Sequence, residues 1–135
     1  MLRLVMTEGI ETLAVRVDAD AFNQILINLV DNALKFSARA DIRVVEISGR
    51  RQGNRLVFAV RDYGPGIPRH QMKKIFRLFY RGEDELTRET LGTGIGLALA
   101  RQLAQAMGGQ VDVINAEPGA EFRVTLPMGP MGDYP

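Results

Sequence analysis

Cysteine is absent from this 135-residue chain, and histidine occurs only once, as His70. Without thiols the chain can form neither disulfides nor thiolate metal sites, and this composition fits a reducing compartment. A single histidine cannot build a histidine-rich metal centre. The sequence therefore excludes disulfide-stabilised folds and the common zinc sites.

Long apolar runs and an excess of one charge are also absent. No stretch approaches the roughly 18 apolar residues of a membrane helix, and the N-terminus lacks a signal-peptide pattern. Seventeen basic and sixteen acidic side chains leave a formal net charge of +1, which gives no support to binding through bulk charge. We therefore expect no nucleic-acid partner and no membrane contact by this chain.

The composition is that of an ordinary globular domain, with 46% hydrophobic and 24% charged residues. The length suits a single domain with a real core. We expect the domain to span residues 1–127, followed by a flexible Gly/Pro-rich tail over 128–135. Because Met1 leads almost directly into an apolar segment, we also expect the chain to be a piece of a longer protein.

Local patterns predict a mixture of strands and helices. Asp18 or Asp20 is suited to cap the first helix, and Gly108 and Gly109 to end the last one. A turn is expected at Gly9, and residues 81–93 are polar and aperiodic, which indicates a mobile loop. The predicted strands are 2–6, 12–17, 42–50, 55–62, 110–115 and 121–126, and the predicted helices are 20–37, 69–75 and 96–107. Adjacent hairpins in this order predict an antiparallel-rich α/β sandwich.

The stretch "NQILINLVDNALKF", residues 23–36, has the pattern of a helix with one unusual face. At about 100° per residue, Asn28, Asn32 and Lys35 lie on one polar arc, and the apolar residues cover the rest. A solvated face is the alternative reading. Asparagine is a poor helix former, however, so two of them one turn apart suggest a task for their carbonyl oxygens.

"RDYGPGIP", residues 61–68, places a carboxylate at the end of a strand before a glycine-rich turn. Asp62 there can accept hydrogen bonds, for example from the exocyclic amine of adenine. Gly64 and Gly66 allow backbone conformations that other residues avoid. A plain turn with a solvated aspartate is the alternative.

"LGTGIGLALARQLAQAMGG", residues 91–109, places glycines at the start of a helix, where backbone amides can bind phosphate. The spacing is not a dinucleotide fingerprint, and a P-loop lysine is missing, so a flexible hinge stays open as an alternative. In "IFRLFYRG", residues 75–82, the aromatic residues suit either a core or the hinge of a lid. Arg81 could reach phosphate oxygens.

Together these four stretches resemble the N box, first glycine box, F box and second glycine box of bacterial sensor histidine kinases. The resemblance covers about 18–127 and is to their catalytic and ATP-binding domain, in the superfamily shared with gyrase, a heat-shock chaperone and the mismatch-repair ATPase. It implies the Bergerat fold: a two-layer α/β sandwich whose mixed, mostly antiparallel sheet packs on about three helices.

The resemblance also implies roles for individual residues. Asn32 would hold Mg²⁺, supported by Asn28, while Lys35 would neutralise phosphate charge, and these three would be the catalytic residues. Asp62 would bind the adenine of ATP, and Phe36 would lie against the nucleoside. The other implied ATP-binding residues are Gly64, Gly66 and Ile67 of the adenine pocket, and Tyr80, Arg81, Gly92, Thr93, Gly94, Ile95, Gly96 and Leu97 of the lid and phosphate site.

The implied reaction is transfer of the γ-phosphoryl of ATP to a histidine on a separate dimerisation and phosphoacceptor domain, with a response regulator downstream. His70, in "PRHQMKK", does not match the acceptor pattern, so this chain should not phosphorylate itself. We expect a monomer that works in the cytoplasm. Two alternatives remain: an anti-sigma-factor-type serine kinase, disfavoured because Asn28 replaces its glutamate, and a non-catalytic nucleotide-binding domain.

The sequence departs from the family pattern near its second glycine box and its last strand. Leu91 stands where another glycine is common, and Ala120 and Glu121 stand where glycine and threonine are common. An inward-pointing Glu121 would weaken a phosphate contact. We expect this side chain to lie on the surface instead.

Overall fold

The computed structural model describes residues 2–6, 19–38, 40–83, 88, 91–92 and 94–127, the first of these segments through its backbone alone. Five strands, two α-helices and two short 3-10 helices make up these segments. In chain order they are β1 (Leu2–Met6), α1 (Ala19–Ser37), β2 (Val45–Gln52), β3 (Arg55–Arg61), the 3-10 helices Arg69–Gln71 and Lys74–Phe76, α2 (Gly96–Ala106), β4 (Gln110–Asn115) and β5 (Ala120–Pro127).

The five strands form one sheet in the order β1-β2-β3-β5-β4. β1 runs parallel to β2, and the other three pairs are antiparallel. The β2–β3 and β4–β5 hairpins are both present, the first turning at Gly53–Asn54. The prediction of a mixed, mostly antiparallel sheet is therefore confirmed. The predicted strand 12–17 and the turn at Gly9 lie outside the described residues.

The core fills the space between one face of the sheet and the two α-helices. Side chains alternate strictly along β5, so that every second residue from Ala120 is buried. α1 and α2 contribute the opposing surface through Ile25, Leu29, Ala33, Phe36, Leu97, Ala100 and Ala104. The two-layer α/β sandwich is thus confirmed. Within the described ranges, no helix is both long enough and apolar enough to cross a bilayer.

The largest difference from the predicted elements lies between the sheet and α2. The single helix expected over 69–75 is two 3-10 turns separated by Met72 and Lys73, because such a short segment gains too few backbone hydrogen bonds to hold an α-helix. Arg88 and Leu91 have helical backbone inside the predicted loop 81–93. Leu91 is buried in the core, so this departure from the glycine pattern serves packing.

Candidate nucleotide site

Asn28, on the polar face of α1, contacts the start of α2. The Nδ2–H of Asn28 donates to the carbonyl oxygen of Gly96 at 3.0 Å, and Asn28 Oδ1 accepts from Gln24 at 3.0 Å. Asn32, one turn further on, is only 6% exposed. Its side-chain amide makes no hydrogen bond to the described part of the chain. Asn28 thus joins α1 to the glycine-rich entry to α2, and Asn32 provides a largely buried amide one turn further along α1.

Asp62 lies directly after β3, at the end of the inward-facing series Leu56, Phe58 and Val60. The residue is 1% exposed, and its Oδ1 accepts the backbone N–H of Gly64 at 2.9 Å. Its Oδ2 is buried and has no hydrogen-bond partner in the part of the chain that the structure describes. An unsatisfied buried oxygen costs free energy, so this atom is suited to accept a hydrogen bond from a ligand.

Burial raises the pKa of Asp62 above its usual range, and the backbone N–H of Gly64 offsets part of this rise. The folded protein therefore binds more protons than the unfolded chain between about pH 4 and the raised pKa. Stability from this group is present at low pH and is lost as the pH rises through that window.

We expect the free energy of unfolding of Asp62→Asn, relative to that of the parent chain, to increase between pH 4 and pH 7. The variant lacks the buried carboxylate whose ionisation destabilises the parent. Urea unfolding of both proteins across this range, without nucleotide, measures the difference. If the free energy of unfolding of Asp62→Asn minus that of the parent stays constant or falls as the pH rises, the parent has no buried carboxyl group that ionises in this range.

The loop after Asp62 is fixed by a residue that sequence reasoning missed. The side-chain amide of Asn115, at the end of β4, accepts the N–H of Ile67 at 2.9 Å and donates to its carbonyl oxygen at 2.9 Å. Gly66, at φ +78°, passes so close that a Cβ there would lie 2.9 Å from Asn115 Oδ1. Gly64 packs similarly against the carbonyl oxygen of Phe36. No local pattern links residues 48 positions apart.

The β4–β5 turn closes over the other side of Asp62. The backbone N–H of Asp62 donates to the carbonyl oxygen of Ala120 at 3.0 Å, and a Cβ on Gly119 would lie 1.9 Å from the carbonyl oxygen of Asp62. Arg61 Nη2 donates to the carbonyl oxygens of Ala116 and Pro118. The turn thus keeps Asp62 buried, and Gly119 is required because nothing larger fits.

The second glycine segment meets the F-box residues next to α2. The N–H of Phe79 donates to the carbonyl oxygen of Gly94 at 2.9 Å, and a Cβ on Gly94 would lie 2.6 Å from the backbone of Phe79. Gly94 has φ +77° and Gly92 φ +57°, whereas Ile95 precedes α2 with its side chain exposed. The two predicted motifs are therefore in direct backbone contact.

The start of the predicted lid is held by Gln71, a second residue that sequence reasoning missed. Gln71 is 2% exposed, and its Oε1 accepts the hydroxyl of Tyr80 at 3.1 Å and the N–H of Glu83 at 3.3 Å. Arg81 between them is exposed. The residues around Gln71 are polar, so the sequence does not show whether this glutamine is buried or solvated.

The remaining predicted site residues occupy three kinds of position. Lys35 forms an exposed ion pair with Asp31 at 3.0 Å. The side chains of Phe36 and Leu97 are buried in the core, so their contact with a nucleotide stays a prediction. Gly96 begins α2, and Thr93 lies outside the described residues.

Glu121, the departure that could have harmed a phosphate contact, faces away from the helices. It alternates with the inward-facing Ala120 and Phe122 and pairs with Arg61 across the sheet. The same outer face carries the Arg123–Asp112 ion pair. The carboxylate therefore lies on the opposite side of the sheet from α1 and α2.

Comparison with known proteins agrees with this geometry. The family model described as "Histidine kinase-, DNA gyrase B-, and HSP90-like ATPase" matches residues 17–130. A mixed sheet under two helices, with a buried aspartate at one end and asparagines on α1, is the arrangement expected for an ATP-binding α/β sandwich of this class. The chain belongs to this ATPase family, in the branch of the sensor histidine kinases.

Curated relatives include two sensor histidine kinases of Bacillus subtilis (strain 168). The chain is similar to WalK with 38% identity over 117 residues, which is 85% of this chain and 19% of WalK. It is similar to YkoH with 36% identity over 116 residues, covering 86% of this chain and 24% of YkoH. The chain thus spans only about a fifth to a quarter of these relatives.

Solved structures show the same fold. The nucleotide-free catalytic domain of the histidine kinase ThkA superposes with a TM-score of 0.78 at 28% identity, covering 96% of this chain and 82% of that one. Full-length ShkA in complex with AMPPNP superposes with a TM-score of 0.78 at 29% identity, covering 95% of this chain and 25% of that one.

Proposed function

We propose that this chain binds Mg-ATP and donates the γ-phosphoryl to a histidine on a separate dimerisation and phosphoacceptor domain of a two-component sensor kinase. The observation that carries the proposal is the buried Oδ2 of Asp62, which has no hydrogen-bond donor among the described residues. Membership of the ATPase family and the AMPPNP bound in the ShkA structure support ATP as the ligand.

The adenine end of the site rests on Asp62 and the loop behind it. The exocyclic amine of adenine can donate to Oδ2, which satisfies the orphaned oxygen. Asn115 holds Ile67, and Gly64 and Gly66 lie so close to Phe36 and Asn115 that no side chain fits at either position. The loop behind Asp62 is therefore held in place by contacts within the protein.

The phosphate end rests on α1 and the start of α2. Asn32 is 6% exposed, and a neutral amide oxygen is a suitable ligand for Mg²⁺ beside a triphosphate. When bound, the cation offsets phosphate charge during transfer. Asn28 holds the entry to α2 through Gly96 and supports the metal site. The amides of Gly92 and Gly94 donate to the carbonyl oxygens of Arg88 and Leu91, so the start of α2 at Gly96 would offer the amides for phosphate oxygens. Lys35 and Arg81 would add positive charge.

The site lacks a carboxylate where a hydrolase or serine kinase of this superfamily has its general base. Asn28 occupies that place, and a neutral amide cannot remove a proton from water or a hydroxyl. Asp31, the nearest acid in sequence, is exposed and paired with Lys35. The γ-phosphoryl is therefore kept for an incoming imidazole, and transfer depends on positioning and charge.

The acceptor must come from another domain. His70 is exposed on the first 3-10 turn and pairs with Glu83 at 2.9 Å, and its sequence context does not match an acceptor. We propose residues 1–127 as one catalytic domain with the tail 128–135 appended. It would act as a monomer in the cytoplasm, with a response regulator as the later recipient of the phosphoryl group.

Asp62→Asn should weaken binding of a non-hydrolysable ATP analogue by about 1 kcal/mol or more, roughly fivefold, because it replaces an acceptor with a partly mismatched amide. Isothermal titration with Mg²⁺ present measures the change. Asp112→Asn, which alters a carboxylate on the outer face of the sheet, is the matched control. Unchanged affinity in Asp62→Asn would show that adenine binds elsewhere.

A further inference from the structure

A basic groove runs along the free edge of β4, away from the nucleotide site. Two adjoining cavities of about 660 and 720 Å³ share the lining residues Met72, Lys73, Arg77 and Val113. We call this continuous surface the edge groove. The 3-10 segment forms one wall of the groove, and β4 forms the other.

The rim of the edge groove carries positive charge that the described residues do not neutralise. Arg69, Lys73, Arg77 and Arg101 line it together with two carboxylates, Asp112 and Glu117, and none of the four cations has a carboxylate within ion-pair distance in the described ranges. The carboxylate Asp112 is occupied by Arg123. In a chain of net charge +1, this concentration of unpaired cations marks a surface for an anionic partner.

The edge groove has an apolar floor, and one of its walls is a strand edge without a strand partner in the described residues. Met72, Phe76, Val111 and Val113 give the floor an apolar surface. β4 is the last strand of the described sheet, and it pairs only with β5. Its other edge therefore presents backbone donors and acceptors without strand partners in the described residues, which is the template used in strand addition.

We propose that the edge groove binds an extended acidic segment of a partner polypeptide as an added strand on β4. Apolar side chains on one face of that segment would pack on the floor, and acidic side chains would reach the rim cations. The six residues of β4 set its length at about 20 Å. The combination of free edge, apolar floor and cationic rim favours a peptide over a nucleic acid, which would use the charge alone.

A second copy of this chain fits less well as the occupant. It would bring its own unpaired cations against the same groove, and like charges oppose that contact.

The test uses the full 135-residue chain and a fluorescent eight-residue peptide in which glutamate alternates with valine. Fluorescence anisotropy should show saturable binding that weakens at higher salt. The double variant Lys73→Glu/Arg77→Glu should lose at least tenfold in affinity. Arg50→Glu/Arg55→Glu, an equal charge change on the exposed β2–β3 hairpin, should bind within twofold of the parent, with circular dichroism confirming that both variants fold.

Two further peptides separate strand addition from charge alone. The first carries N-methyl groups on its glutamate amides, and the second carries them on its valine amides. Because only alternate amides of an added strand face β4, one of the two peptides should lose at least tenfold in affinity. The proposal is overturned if the parent peptide does not bind, if both methylated peptides bind as well as the parent, or if the two double variants behave alike. Tighter binding of an eight-nucleotide oligothymidylate would assign the groove to nucleic acid instead.

Discussion

Asn32→Ala lowers the initial rate of Mg²⁺-dependent phosphoryl transfer to a supplied acceptor domain by about 100-fold or more. Loss of groups that merely orient metal ligands already costs 10- to 100-fold, and removing a ligand oxygen itself costs at least as much. The substitution leaves a methyl group in a buried position that now holds an available amide. The measurement is transfer of labelled phosphate at saturating ATP.

Asn23→Ala is the matched control for this experiment, because Asn23 lies on the same helix with its side chain exposed. It makes the same change of residue type, and transfer should stay within twofold of the parent rate. Raising the Mg²⁺ concentration should partly restore the Asn32 variant if its defect is in metal binding. If Asn32→Ala is fully active at the Mg²⁺ concentration used for the parent, Asn32 is not part of the metal site.

Gly119→Ala lowers the free energy of unfolding by about 3–5 kcal/mol, a large fraction of the stability of a small domain. The new Cβ would lie 1.9 Å from the carbonyl oxygen of Asp62, in a residue whose φ is +91°. The new Cβ would meet backbone atoms of Asp62 and Tyr63, so a change of side-chain rotamer cannot relieve the clash. The β4–β5 turn must then move away from Asp62, and nucleotide affinity should fall with it.

Gly53→Ala is the control for this experiment. It measures the free-energy cost of placing alanine in a left-handed backbone conformation without a clash. Gly53 has φ +61°, but a Cβ there would meet no atom within 4 Å. We expect it to cost about 1 kcal/mol, from conformation alone. Urea unfolding of both variants gives the comparison. Equal losses in the two would show that the close packing of the turn on Asp62 contributes nothing.

The parts of the site that were predictable from the sequence are those in which a local pattern and its chemistry coincide. The two asparagines of α1 stand out in the sequence because they are poor helix formers in a good helix, and the structure places Asn28 against the start of α2. Glu121 was expected on the surface, and the alternation of buried and half-buried residues along β5 places it on the outer face of the sheet. Asp62 was found because it ends a strand and precedes glycines.

The residues that were missed act over long distances in sequence. Asn115 secures Ile67 from the end of another strand, and Gln71 secures Tyr80 from inside a turn. A single polar residue at a strand end looks the same whether it binds solvent or another loop. The role of Gly119 likewise depends on Asp62, with which it has no sequence relationship. Such contacts follow from tertiary packing, which no periodicity encodes.

The most direct test is a crystal structure of this chain with a non-hydrolysable ATP analogue and Mg²⁺. The account predicts that the exocyclic amine of adenine donates to Oδ2 of Asp62 and that Oδ1 of Asn32 lies within coordination distance of the cation. Adenine bound away from Asp62, or a metal whose protein ligands do not include Asn32, would contradict it.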